Sequence, residues 1–243
     1  MFKTFLQQAA CDYGIQLTDR QLDDLNVYYH LLIEWNEKIN LTAITDPQEV
    51  AVKHMIDSLS CYEQQYFPSD CHVIDVGTGA GFPGLPLKIY RPDIHLTLFD
   101  SLKKRLTFLQ QVVSDLKLSE INLIHARAEE GSRKRELREQ YDVVLSRAVA
   151  RLNVLSELCL PFVKVGGYFI ALKGAQYESE RAEAEQAVAM LGGKIVAVKP
   201  VKLPGLDDKR AIIYIRKEHH TPATYPRKAG IPEKKTSIKN LPF

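Results

Sequence analysis

The sequence predicts an α/β protein: a mostly parallel sheet with helices on both faces. Three observations predict it. From Cys71 onward, short apolar runs alternate with longer segments of helical period; the last two runs have only a loop between them; and a glycine-rich turn, Asp75-Val76-Gly77-Thr78-Gly79-Ala80-Gly81, follows the first run. Strand–helix alternation demands crossovers that cover both faces of a parallel sheet. A glycine turn at the carboxyl end of a strand is where such sheets hold a nucleotide.

The first 66 residues read as helices. Phe2, Phe5, Leu6, Ala9 and Tyr13 recur at helical spacing, and Thr18-Asp19-Arg20-Gln21 has the spacing of a capping box ahead of the stripe Leu22, Leu25, Tyr29, Leu32 and Ile33. Pro47 opens a further helix carrying Val50, His54 and Leu59. Strands follow at 73–76, 96–99, 121–124 and 143–145, and a fifth at 168–172 after the turn signal Gly166-Gly167. Leu102, Leu106, Leu109, Val113 and Leu116 mark one crossover helix. Runs at 195–198 and 211–215 flank Pro204-Gly205, so they form a hairpin and leave the last strand antiparallel. The expected organisation is a helical extension over 1–66, a sheet domain over 67–217, and a basic, proline-containing, irregular tail over 218–243.

Composition narrows the class. Apolar content of 45% and charged content of 26% suit a soluble globular chain, and no apolar run reaches the roughly 20 residues of a membrane span. The start of the chain lacks the layout of a secretory leader. Cys11, Cys61, Cys71 and Cys159 are scattered, which argues against disulfides or a zinc knuckle and for a reducing cytoplasm. Net charge is +2, but residues 1–66 carry −6, leaving +8 for the remainder. A basic face outside the extension could meet phosphate.

The glycine turn selects the cofactor. A dinucleotide fingerprint wants glycine at its first, third and sixth positions, and the sixth position from Gly77 is Phe82. An acid two residues before the first glycine is also foreign to it. Asp75, Gly77, Gly79 and Asp100, the last ending the second strand, instead suit S-adenosylmethionine (SAM), with Asp100 accepting from the ribose hydroxyls. That cofactor and the antiparallel closing hairpin together give the Rossmann-like SAM-dependent methyltransferase fold with seven strands. Ala128 and Glu129, after the third strand, are placed to meet the adenine edge.

The loop after the fourth strand, Ser146-Arg147-Ala148-Val149, restricts the methyl acceptor by what it lacks. There is no Asn- or Asp-Pro-Pro-aromatic motif for an exocyclic amine and no Pro-Cys nucleophile, since Cys159 precedes Leu160. No His/Asp dyad stands out to deprotonate a hydroxyl. An acceptor with its own lone pair remains, such as guanine N7. Arg147 should face the methionine carboxylate of SAM or an RNA phosphate, and Lys173, ending the fifth strand near the same edge, is a candidate RNA contact.

Several stretches resemble the bacterial RsmG (GidB) family of small-subunit rRNA 7-methylguanosine methyltransferases, over nearly the whole chain. They are Trp35-Asn36-Glu37-Lys38-Ile39-Asn40-Leu41-Thr42, Gly79-Ala80-Gly81-Phe82-Pro83-Gly84-Leu85-Pro86 and Asp100-Ser101-Leu102-Lys103-Lys104-Arg105, with Ala126-Arg127-Ala128-Glu129, Ser146-Arg147-Ala148 and Tyr225-Pro226-Arg227-Lys228. The resemblance implies a cytoplasmic, single-polypeptide enzyme that uses SAM and no metal. It implies N7 of guanine 527, in the 530 loop of 16S rRNA, as acceptor. It also implies cofactor contacts at Gly77, Phe82, Ala128, Glu129 and Arg147. The basic tail, with Arg227, Lys228, Lys234 and Lys235, is then expected to reach rRNA phosphate. A small-metabolite methyltransferase, a non-catalytic RNA-binding module and a dinucleotide oxidoreductase are the competing classes.

Overall fold

The computed structural model describes residues 1–234, with Glu233 and Lys234 given by their backbone alone. Helices α1 (Phe2–Tyr13) and α2 (Asp19–Ile39) open the chain. The capping box forms as predicted: the Thr18 hydroxyl accepts from Gln21 N, and the Gln21 side chain accepts from Thr18 N at 2.9 Å. The helix expected after Pro47 is interrupted. It runs as α3 (Pro47–Val50), a π-helical turn at Ala51–Ile56, and α4 (Asp57–Leu59). A π turn re-aims the side chains that follow it, and here those include Asp57.

The sheet segment then alternates as expected: β1 (His72–Val76), α5 (Gly84–Tyr90), β2 (His95–Asp100), α6 (Lys103–Asp115), β3 (Ile121–His125) and α7 (Ala128–Gly131). It continues through β4 (Tyr141–Arg147), α8 (Leu152–Cys159), β5 (Val163–Lys173), α9 (Tyr177–Met190), β6 (Gly193–Pro200) and β7 (Ala211–Lys217), and α10 (Ile231–Lys234) follows. Seven strands lie in the order β3-β2-β1-β4-β5-β7-β6, the first five parallel and β7 antiparallel to both neighbours. The order reverses between β1 and β4, which opens a crevice at the carboxyl ends of those strands. Gly166-Gly167 is not the predicted turn. Both glycines lie inside β5, and a Cβ on Gly167 would stand 2.6 Å from the Asp142 carbonyl, so the strand passes β4 too closely for a side chain.

Alternation along the strands feeds two cores. Val73, Leu98 and Leu145 face one side with Leu6, Tyr28 and Leu32 of the extension; Ile74, Phe99 and Val144 face the other with Leu155 and Tyr225. Tyr225 shows that the tail expected to be irregular from residue 218 is docked in its described part. Arg138 donates to the carbonyls of Thr221 and Tyr225, Arg133 donates to those of Thr224 and Pro226, and Arg227 pairs with buried Glu157. A proline-rich backbone has carbonyls without a ladder, and two arginines satisfy them. No helix among the described residues is long and apolar enough to cross a membrane.

Candidate active site at the sheet's switch point

The glycine loop leaves β1 under restraint. Gly77 N and Thr78 N both donate to the Phe99 carbonyl of β2, at 2.9 and 3.1 Å. Gly77 and Gly81 have φ of +73° and +101°, where a side chain is strained. Asp75 lies beneath the loop, fully buried, and ties its two ends together. Its Oδ2 accepts from Thr78 Oγ1 at 2.7 Å and from Gly84 N at 2.9 Å, while Oδ1 has no partner. Burial raises its carboxyl to about 6, against the pull of those two hydrogen bonds.

Asp100 fixes the loop from the other side. Its Oδ2 accepts from Gly79 N at 2.9 Å and from Arg105 Nη1 at 3.4 Å; its Oδ1 accepts from Leu102 N at 2.9 Å. Between these groups opens a cavity of about 440 Å³, lined by Gly77, Gly79, Phe82 and Asp100, by Arg147 at the end of β4 with Ala148 and Val149 after it, and by Leu41, Thr42 and His54 of the extension. Its size is that of a small-molecule site.

Thr42, His54 and Arg147 of the cavity are already engaged. Thr42 Oγ1 accepts from Ile44 N and hydrogen-bonds His54 Nε2 at 2.8 Å, while His54 Nδ1 lies 3.2 Å from the Lys53 carbonyl and 3.4 Å from Arg147 Nη2. Burial, with Arg147 adding to it, lowers His54 to about 4, so the imidazole is neutral near pH 7. It stacks on Phe82 at 4.6 Å between centroids. Arg147 lies over the same ring, 4.9 Å from its centroid, and donates to Asp57 Oδ2 at 2.9 Å. Nothing in this set is a free general base.

The model of the family described as GidB, rRNA small subunit methyltransferase G, matches residues 21–212. The chain belongs to this family. It is 53% identical over 230 residues to the ribosomal RNA small subunit methyltransferase G of Desulforamulus reducens, covering 95% of this chain and 96% of that one. The Alkaliphilus metalliredigens protein of the same name is 51% identical over 233 residues, covering 96% and 98%. Among solved structures, M. jannaschii TYW2 in complex with AdoMet shares the fold at a TM-score of 0.55 and 15% identity, over 74% of this chain and 80% of that one. Methanococcus jannaschii fibrillarin, a pre-rRNA processing protein, does so at 0.52 and 15%, over 67% and 74%. The fold is that of the SAM-dependent methyltransferases, and this GidB-family chain is an rRNA methyltransferase.

Of the residues singled out in the sequence, Gly77, Gly79, Phe82, Asp100 and Arg147 meet in the cavity of this GidB-family protein. Ala128 and Glu129 begin α7 outside its lining, and Glu129 Oε1 accepts from Gly230 N at 3.1 Å. Arg147 was expected to face a ligand carboxylate or a phosphate, but it faces Asp57. Two predicted RNA contacts are consumed inside the protein. Lys173 donates to the Ala150 carbonyl and pairs with Glu180, both at 2.7 Å, and its side chain is only 7% exposed. Arg227 makes a bidentate pair with Glu157, Nε donating to Oε1 and Nη2 to Oε2. Lys228 is exposed; the Lys234 side chain and Lys235 lie outside what is described. His54, Thr42 and Asp57 were missed, although a signal was present. Asn36 Oδ1 accepts from Leu41 N and Thr42 N at 2.6 and 2.8 Å, so the Trp35–Thr42 motif is the turn that delivers Thr42 to His54. Among the described residues, no cluster of His, Cys, Asp or Glu could hold a metal ion.

Proposed function

We propose that this protein, in the cytoplasm, transfers a methyl group from SAM to N7 of a guanine in the 16S rRNA of the small ribosomal subunit. The observation that carries this reading is a cavity at the switch point without a free base. The residues present fit the donor. Asp100 keeps acceptor capacity on Oδ1 for a ribose hydroxyl, and Gly77 leaves only hydrogen-sized room, because a Cβ there would stand 2.6 Å from Val149 Cγ2. Gly77, Gly79, Phe82 and Asp100 would hold the donor, with Ala128 and Glu129 toward the adenine.

When bound, SAM supplies a methyl group on a cationic sulfur. The protein's own residues align the acceptor and exclude water. Guanine N7 presents an in-plane lone pair and releases no proton on attack, so no base is needed. A protonated imidazole would compete for that lone pair; His54, kept neutral by burial and by Arg147, brings no such charge. Alignment of this kind can supply on the order of 7–11 kcal/mol. The guanine must be unstacked to enter.

Borohydride and aniline cleave RNA at 7-methylguanine, which gives a direct test. Small-subunit particles lacking the modification are incubated with protein and SAM, and one new cleavage site in 16S rRNA is expected. Uncleaved rRNA overturns the acceptor. Calorimetry that finds NAD bound and SAM unbound overturns the donor.

A further inference from the structure

Asp57 joins three segments distant in sequence. It stands in α4, its side chain 10% exposed, and takes a guanidinium on each oxygen: Arg147 Nη1 on Oδ2 at 2.9 Å and Arg210 Nη1 on Oδ1 at 2.7 Å. Arg147 ends β4 and lines the cavity, whereas Arg210 closes the loop between β6 and β7. Arg147 also donates to the Lys53 carbonyl at 3.3 Å and lies over the Phe82 ring, 4.9 Å from its centroid. Arg210 pairs additionally with Asp208, and its Nε is buried without a partner.

This arrangement bears on a conflict of charge. A cavity that admits a cationic sulfonium is walled by a guanidinium, and like charges repel more strongly as water is excluded. One carboxylate between two guanidiniums offsets part of that positive charge. Arg210 competes with Arg147 for it.

We propose that Asp57 is a positioning residue that holds Arg147 against Phe82 and offsets its charge, so that the cavity favours cationic SAM over its neutral demethylated product, with Arg210 limiting that preference. The proposal rests on SAM being the donor. It separates substrate from product by charge, since the two differ by one methyl and one positive charge. A purely structural Asp57 would affect both ligands in step.

The test is calorimetric, at low salt, with SAM and S-adenosylhomocysteine on the full chain. In Asp57→Asn the ratio of product Kd to SAM Kd should fall about fivefold. In Arg210→Gln, which frees Asp57, the same ratio should rise about two- to threefold. Ratios within experimental error of wild type in both variants overturn the proposal. Should Asp57→Asn fail to fold, the Arg210→Gln ratio decides alone, and a fall or no change there overturns it. A wild-type chain that binds neither ligand overturns the donor itself, and this proposal with it.

Discussion

Two buried groups beside the glycine loop make acid stability a contest between single residues. Asp75 is raised from 3.8 to about 6, so the folded chain holds a proton that the unfolded chain releases. Its contribution is therefore fully present below about 3.8 and lost as pH rises through 6. His54 is lowered from 6.5 to about 4, so its contribution is present above 6.5 and lost as pH falls through 4. Each shift corresponds to about 3 kcal/mol. Relative to wild type, His54→Gln should gain stability by up to about 3 kcal/mol between pH 6.5 and 4, and Asp75→Asn should lose about as much between pH 6 and 4. Urea denaturation at pH 7 and 4.5 checks the pair; variant curves that stay parallel to wild type reject both shifts. Gly81 gives a third residue-level expectation. A Cβ there would stand 2.6 Å from Tyr28 Oη and 2.8 Å from Leu85 Cδ1, so Gly81→Ala should cost about 2–4 kcal/mol by the same measurement. Asp100 was legible in the sequence as an acid ending β2 beside the glycine turn, whereas Asp75, expected among the cofactor contacts, lies beneath the loop and outside the cavity lining. His54 was not legible, because what makes it neutral is burial, against Phe82 among others, and the charge of Arg147, which come from other segments.

At the scale of elements, period and alternation located all seven strands, since a strand's burial is written in its own residues. What escaped was set by distant partners. Gly166-Gly167 continues a strand because β4 passes close by, and the helix after Pro47 takes a π turn that no local pattern marks. The carboxy-terminal segment is the largest case. Its basic residues read as an arm for phosphate, yet Arg227 answers Glu157 of α8, which is wholly buried. Arg227→Met would leave that carboxylate buried and unpaired, at a cost of about 3–5 kcal/mol. It should leave the salt dependence of rRNA binding unchanged. Exposed Lys228 is the opposite case: Lys228→Met should preserve stability and reduce the slope of log K against log salt by about one. Filter binding across a salt series separates the two. A reduced slope for Arg227→Met would return that residue to the RNA surface.

At the scale of the molecule, the helical extension is part of the methyltransferase core rather than an addition to it. The first 66 residues differ in charge from the rest, but packing joins the two. Leu6, Tyr28 and Leu32 share one core with Phe82, Leu85, Leu98 and Leu109, and Tyr28 Oη donates to the Ala80 carbonyl inside the glycine loop. The extension also supplies Thr42 and His54 to the cavity. A fragment spanning 67–243 would expose the outer side of α5 and α6, and sheet residues such as Tyr214 that pack on Tyr66, to water. At roughly 1.5–3 kcal/mol for each large apolar side chain uncovered, losing a handful of such contacts exceeds the 5–15 kcal/mol that holds a typical domain folded. The fragment should therefore show no cooperative thermal transition and no SAM binding, even though every glycine-loop residue is present. Restoring residues 1–66 as a separate chain should not rescue it, because isolated helices of this length are marginal in water and must find the exposed face before it aggregates. A cooperative transition together with wild-type SAM affinity in the fragment would show that the sheet domain builds its cofactor site unaided. The Tyr28–Ala80 contact argues the reverse: the glycine loop that lines the cavity is held in shape by a residue from the second helix of the chain.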